Sequence, residues 1–327
     1  MLIAVAFAGN SFALTLNGAG ATFPYPIYAK WMSEYNKKTG VQINYAPIGS
    51  GGGILQFTNM ITDFGASDAA MTDDEMNKAG GDVLHVPTVM GPVALTYNLP
   101  GISEIKLDAD TLAGIYLGEI TKWNDDAIAS LNPGVALPDR NILTVHRSDG
   151  SGTTNIFSNY LAKVSIKWAS RVGAGKSLSW PVGVGGKGNS GVAGVVKTNV
   201  GAIGYVELSY AMTNNFPTMP LKNREGKFVK PSIDSTVAAA AGAVKKIPAD
   251  FRADLTNAPG DDSYPIVGLT WLLVRKTQSN PEKGRALVDF LEWALTDGQK
   301  YAPELYYAPL PTGLRDKVLA AVGKVSY

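Results

Sequence analysis

The chain has 327 residues, 45% of them hydrophobic and 17% charged, an ordinary globular composition long enough for two domains. A net charge of +1 excludes a long-range field that would draw nucleic acid or an anionic membrane, so an anionic ligand has to be held by local groups. Cysteine is absent, which excludes disulfides, thiolate zinc sites, cysteine nucleophiles and a lipid-modified N-terminal cysteine.

Leu2 to Ala8 is a short apolar run, followed by Ser11-Phe12-Ala13, whose small outer residues resemble a signal-peptidase site. Residues 1–13 are therefore read as a signal-peptide remnant, although no basic stretch precedes them. The alternative is a first strand or a disordered end. The mature chain is expected to be soluble and to begin near Leu14, since no later run approaches the length of a membrane span.

Tyr28, Trp31, Met32 and Tyr35 recur at helical spacing, with Gly40 as the stop. Val41 to Tyr45 alternates as a strand. Thr72 and Glu75 have the spacing of a capping box, so Asp73, Asp74 and Glu75 read as a solvated helix start. Ile142 to Arg147 is a strand, and Ile156, Phe157, Tyr160, Leu161 and Val164 mark one helix face. Leu287, Phe290, Leu291 and Ala294 mark another. Strands and helices thus alternate, the pattern of an α/β fold. Val86 to Asn98 and Tyr264 to Val274 read as strands broken by Gly or Pro. They bracket a domain-sized middle region. The expected organisation is a discontinuous first domain (14–89 and 268–327), an inserted second domain (90–267) and a hinge of two strands.

Three loops share one design, glycines and hydroxyls at the start of an amphipathic helix. They are Gly18 to Phe23, Gly49 to Gly53, and Asp149 to Thr154. The first N–H groups of a helix have no intrahelical partner and carry the positive end of its dipole. Glycine permits close approach, and hydroxyls add adaptable donors. Three such ends converging would hold a tetrahedral oxyanion with few cations. Taken singly, each loop reads better as a capped helix with a glycine turn; it is three in one chain that point to an anion. Arg147 ends a strand ahead of the third loop and suits a two-bonded grip on an oxyanion, with Asp149 placed to hold its fork. The alternative is an ordinary surface ion pair. Asp68 would repel an anion unless the anion brings a proton. Phosphate keeps one at neutral pH and sulfate does not, so a carboxylate in the site would accept from phosphate and reject sulfate. On composition alone, Asp68 equally caps the next helix.

Other chemistries lack their motifs. The first loop has Phe23 where a dinucleotide fingerprint needs its third glycine. Gly175-Lys176-Ser177 has Ser170 where a P-loop needs its leading glycine, and Lys187 is followed by Gly188. There is no G-x-S-x-G elbow and no His/Asp/Glu spacing for a metal. His85 and His146 read as structural; His146 should point away from the face that Arg147 uses.

Across these loops the chain resembles the periplasmic phosphate-binding protein family of the bacterial high-affinity phosphate importer. The matching segments are GAGATFP (18–24), IGSGGG (48–53), DFGASDA (63–69), RSDGSGTT (147–154), GGKGNSG (185–191), GAIGYVE (201–207) and IYLGEITKWND (115–125). The resemblance implies a bilobed periplasmic binding protein fold with a dehydrated ligand in the cleft. It implies phosphate contacts from Thr22, Phe23, Ser50, Asp68, Arg147, Ser151, Gly152 and Thr153, with Phe23 and Gly152 acting through backbone N–H and Asp149 orienting Arg147. It also implies a monomer that hands phosphate to the membrane permease subunits of an ABC importer. No cofactor, metal or catalytic group is expected. Gly51 stands where the family often has a second serine. The alternatives are a receptor for another oxyanion such as sulfate, a phosphate-ester hydrolase, or a secreted adhesion or signalling protein on the same scaffold.

Overall fold

A computed structural model describes residues 14–243 and 247–327. The expected signal-peptide remnant lies outside the described residues. Eleven strands and twelve α-helices follow in chain order among the described residues. The first part comprises β1 (Thr15–Gly20), α1 (Tyr25–Thr39), β2 (Gln42–Ala46), α2 (Ser50–Thr58), β3 (Phe64–Ser67), α3 (Asp73–Lys78) and β4 (Val83–Tyr97). The middle part comprises α4 (Ala109–Tyr116), α5 (Asp126–Leu131), β5 (Leu143–Arg147), α6 (Gly152–Val164), α7 (Ile166–Arg171), β6 (Val184–Gly186), α8 (Gly188–Thr198), β7 (Ala202–Glu207), α9 (Leu208–Thr213), β8 (Leu221–Lys222), β9 (Phe228–Val229) and α10 (Ile233–Ala243). The chain ends with β10 (Val267–Arg275), α11 (Pro281–Leu295), β11 (Ala308–Pro309) and α12 (Thr312–Val322).

The main sheet runs in the order β2-β1-β3-β10-β4-β7-β5-β6, with β11 on β4. Strands β1, β2 and β3 are mutually parallel, and β5, β6 and β7 form a second parallel set. Between them, β4 pairs antiparallel with β10 over its first part and with β7 over Val93–Tyr97. These pairings fix the directions. The β1–β3 set runs with β4, and the β5–β7 set runs against it. The C-terminal ends of both sets therefore point at the same middle zone. In open α/β sheets that is where ligands bind.

Packing accounts for the elements. Helix α1 buries Tyr28, Trp31, Met32 and Tyr35 and stops at Gly40, whose φ of 76° suits glycine. Trp31 Nε1 donates to the Gly298 carbonyl at 2.7 Å, and Tyr35 meets Phe290 of α11 edge-on. On the other flank, Tyr116, Phe157, Trp168, Trp180 and Tyr205 form one aromatic cluster, with Phe157 stacked on Tyr205 at 4.3 Å. The Thr72–Glu75 capping box forms at the start of α3.

Two sequence expectations need correction. Strand β4 is not broken at its Gly and Pro residues; it runs fifteen residues through Pro87, Gly91 and Pro92. Pro87 sits beside the register shift of the β4–β10 ladder, a place where proline is tolerated in a sheet. A Cβ on Gly91 would stand 2.9 Å from the Phe23 ring, so this glycine makes room for Phe23. Apart from Gly49, which precedes α2, the glycines of the first two loops also lie inside elements rather than before them. Gly18 and Gly20 end β1, and Gly51 to Gly53 open α2. Close packing demands them: a Cβ on Gly53 would stand 2.4 Å from the Gly20 Cα.

Candidate ligand site

Nine sequence-predicted residues come together where the two strand sets meet. Thr22 and Phe23 follow β1, and Ser50 opens α2. Asp68 follows β3, Arg147 ends β5, and Asp149 to Thr153 lead into α6. Thr22, Phe23, Ser50, Asp68, Arg147, Ser151 and Thr153 are all buried.

Arg147 is the centre of one side. Its Nε and Nη2 donate to the two Asp149 oxygens at 2.8 and 2.5 Å, and Nη1 lies 3.3 Å from Thr153 Oγ1. The pair is not at the surface, since the Arg147 side chain is 1% exposed. Burial works to raise the Asp149 pKa, but the Arg147 guanidinium and the Gly188 N–H, which donates to Oδ1 at 2.9 Å, hold it below the usual carboxylate value. The backbone of Arg147 is pinned as well: its N–H donates to the Tyr205 hydroxyl at 3.1 Å, which also meets Thr154 Oγ1 at 2.6 Å. His146 points the other way and stacks on Trp180 at 4.7 Å. His85 is buried, and its Nε2 accepts the Met71 N–H at 3.0 Å.

Asp68 is the centre of the other side. Its Oδ1 accepts from Thr270 Oγ1 at 2.8 Å, and its Oδ2 lies 3.3 Å from Ser50 Oγ. It does not cap α3; Thr72 does. Burial pushes its pKa up to about 7, against the lowering pulls of Thr270, Arg147 and Ser50. A carboxylate so poised shares a proton readily with an anion that carries one.

The two sides touch directly. Ser50 Oγ accepts from the Asp68 N–H at 3.1 Å and from the Gly152 N–H at 3.0 Å. Gly152 thus spends its N–H on Ser50 in this arrangement. Any side chain at 152 would strike Ser50 and Asp68, with contacts of 2.5 and 2.6 Å. The Gly51 N–H donates to the Gly150 carbonyl at 2.8 Å. A Cβ at Gly51 would crowd Gly150 at 3.2 Å, which fits glycine rather than serine at that position. Ser151 Oγ caps α6 by accepting the Thr154 N–H at 3.0 Å. Further out, Lys176 meets Glu75 at 2.7 Å across the same junction.

Sequence reasoning missed three residues that shape the site. They are Thr270, which holds Asp68, and Asn189 and Glu207, which back the Thr22 side. Asn189 stood inside the quoted GGKGNSG segment, but no local pattern marked its side chain. No group of three or more His, Asp or Glu suited to a metal occurs among the described residues, and no described helix is long and apolar enough to cross a membrane.

Two parallel strand sets aim their ends at one cleft, and two antiparallel strands join them. That architecture defines a bilobed binding protein, and residues 7–298 match the profile of the PBP superfamily domain. The chain is 47% identical to the phosphate-binding protein PstS of Pasteurella multocida, over 98% of this chain and 94% of that one. It is 46% identical to the protein of the same name from Xylella fastidiosa strain 9a5c, over 96% and 86%. The chain belongs to the PstS family of phosphate-binding proteins. In fold it is similar to a high-affinity periplasmic phosphate-binding protein solved with phosphate, with a TM-score of 0.74 and 21% identity over 94% of this chain and 93% of that one.

Proposed function

We propose that this protein is a receptor that captures inorganic phosphate in the periplasm and delivers it to the membrane permease of an ABC importer. The observation that carries the reading is the pairing, in one buried cleft, of a locked guanidinium at Arg147 with a lone carboxyl at Asp68. Arg147 and the helix starts attract a tetrahedral anion. Asp68 admits it only if it brings a proton. Family membership supports the same ligand and the importer.

Thr22, Phe23, Ser50, Asp68, Arg147, Ser151, Gly152 and Thr153 are the ligand groups in this reading, and Asp149 orients Arg147. Residues 14–89 with 268–327 form one lobe and residues 90–267 the other. In this reading the protein is a monomeric binding protein rather than an enzyme: its relatives are named phosphate-binding proteins, and the Arg147–Asp149 pair is engaged in holding charge. The hinge is the β4–β10 ladder, and closing it brings the Gly51–Gly150, Ser50–Gly152 and Lys176–Glu75 contacts together.

Calorimetry of the purified protein with phosphate and with sulfate tests the reading. Phosphate is expected to bind and sulfate to be rejected. Equal affinity for the two would remove the role given to Asp68, and turnover of a phosphate ester would sink the binding-only view.

A further inference from the structure

Asn189 is fully buried at the start of α8, and its amide reaches hydroxyls on both lobes. Its Nδ2 donates to Thr22 Oγ1 at 2.9 Å and to Thr153 Oγ1 at 3.1 Å. Its backbone N–H also donates to Thr22 Oγ1, at 3.2 Å. The orientation of the amide is not ambiguous. Its Oδ1 faces the Glu207 N–H at 2.9 Å, and a backbone N–H can only donate. The nitrogen must therefore face the two threonines.

A hydroxyl has one proton to give and two lone pairs to receive with. Thr22 Oγ1 takes both of its incoming bonds from Asn189. Thr153 Oγ1 takes one from Asn189 and one from Arg147 Nη1 at 3.3 Å. Both oxygens are then filled as acceptors. What each has left is its own O–H. A free hydroxyl would turn either way and present a lone pair to the anion at no cost. These cannot.

We propose that Asn189 is a positioning residue that sets the polarity of the cleft: by occupying the lone pairs of Thr22 and Thr153 from opposite lobes, it commits both hydroxyls to donate to the bound anion. Asp68 is thereby left as the acceptor among these side chains, and its role as the discriminating group depends on that. Asn189 also joins the lobes, so the donors are ordered as the cleft closes. This inference rests on the phosphate reading and on the placement of Thr22 and Thr153 at the ligand.

Calorimetry with inorganic phosphate on a mutant cycle tests it. Asn189→Ala is expected to weaken binding about tenfold to a hundredfold. Thr22→Val with Thr153→Val removes the hydroxyls that Asn189 orders. In that background, Asn189→Ala is expected to cost no more than about threefold further, because it has nothing left to order. A larger additional loss means that Asn189 acts through packing alone and overturns the proposal, as does a single Asn189→Ala loss below about threefold. Thermal melts of the ligand-free variants establish that each is folded. If Asn189→Ala does not fold, Asn189→Asp keeps the shape and turns the donors into acceptors. It is expected to lose about a hundredfold or more in affinity, and a smaller loss overturns the proposal. Absence of binding by the unaltered protein sinks the phosphate reading and this inference together. Independent losses in a protein that does bind phosphate sink only the role of Asn189.

Discussion

On the α6 side of the cleft the charge is a guanidinium clamped by the two bonds it donates to Asp149, on a residue whose backbone N–H is pinned by the Tyr205 hydroxyl. On the β3 side it is the Asp68 carboxyl, held by the Thr270 and Ser50 hydroxyls, with burial pushing its pKa up to about 7. One lobe supplies attraction that does not vary with pH near neutrality. The other supplies a group on the edge of ionisation. An anion can therefore be drawn by one lobe and judged by the other, and judgement needs both lobes in contact.

Arg147→Ala breaks that contrast most severely. It removes the attraction and leaves Asp149 facing the anion unpaired. A phosphate affinity loss of about 2–5 kcal/mol is expected in calorimetry. A loss under 1 kcal/mol or so would place the attraction elsewhere.

The contrast in titration is tested without ligand. Asp68 is pushed up to about 7 and Glu207 to about 8, both chiefly by burial. Both folded values lie above the ordinary 3.8 and 4.5, so the fold keeps protons that the unfolded chain has released. Ligand-free stability must then fall as pH rises through 7 and 8. Between pH 6.5 and 8 the expected loss is about 2 kcal/mol. His85, pushed down to about 4 by burial, works the other way only below its ordinary 6.5. Glu207 Oε1 has no hydrogen-bond partner among the described residues, and Glu207→Gln should remove most of the slope in denaturant titrations. An unchanged slope would assign it to other groups.

Asp68→Asn removes the judging group. Phosphate should still bind in part, because an amide can donate or accept, while the margin over sulfate shrinks by about 1–3 kcal/mol. Equal discrimination after the change would count against proton reading. Thr270→Val is a gentler version: it deletes one bond to Asp68 and should weaken phosphate by about 1 kcal/mol while leaving the fold intact. The smallest effect is expected from Lys176→Ala. Its bond to Glu75 crosses the lobes but is partly exposed, so phosphate affinity should drop by less than about 1 kcal/mol, and less still at high salt.

What could be read from sequence follows from distance along the chain. Arg147 and Asp149 are two residues apart, and both a strand end and a helix start announce them. The three hydroxyl-bearing loops are equally local. Asp68 was legible by chemistry, because a carboxylate among anion loops demands a reason. Asn189 and Thr270 were not, since they reach Thr22 and Asp68 across 167 and 202 positions. The two-strand crossing was visible as apolar runs. The continuity of β4 was not, because Gly91 normally signals a break and it takes the Phe23 ring and Glu207 Oε1 against it to explain its presence. The first glycines likewise looked like turns, whereas tight packing of β1 on α2 and β3 is what requires them.

One feature of the sheet bears on how the molecule is made. Strand β10 lies between β3 and β4, yet it is synthesised after the whole middle region. The early strands β1, β2 and β3 can pair among themselves as they emerge, and β7 can pair with the end of β4 and with β5. The β3 edge and the first part of β4 must wait for Val267 to Arg275. Insertion of that one segment joins both halves in a single late event, against a large loop-closure cost. Until it happens, each half exposes an open strand edge, and the nascent protein is at its most vulnerable to pairing with the wrong chain.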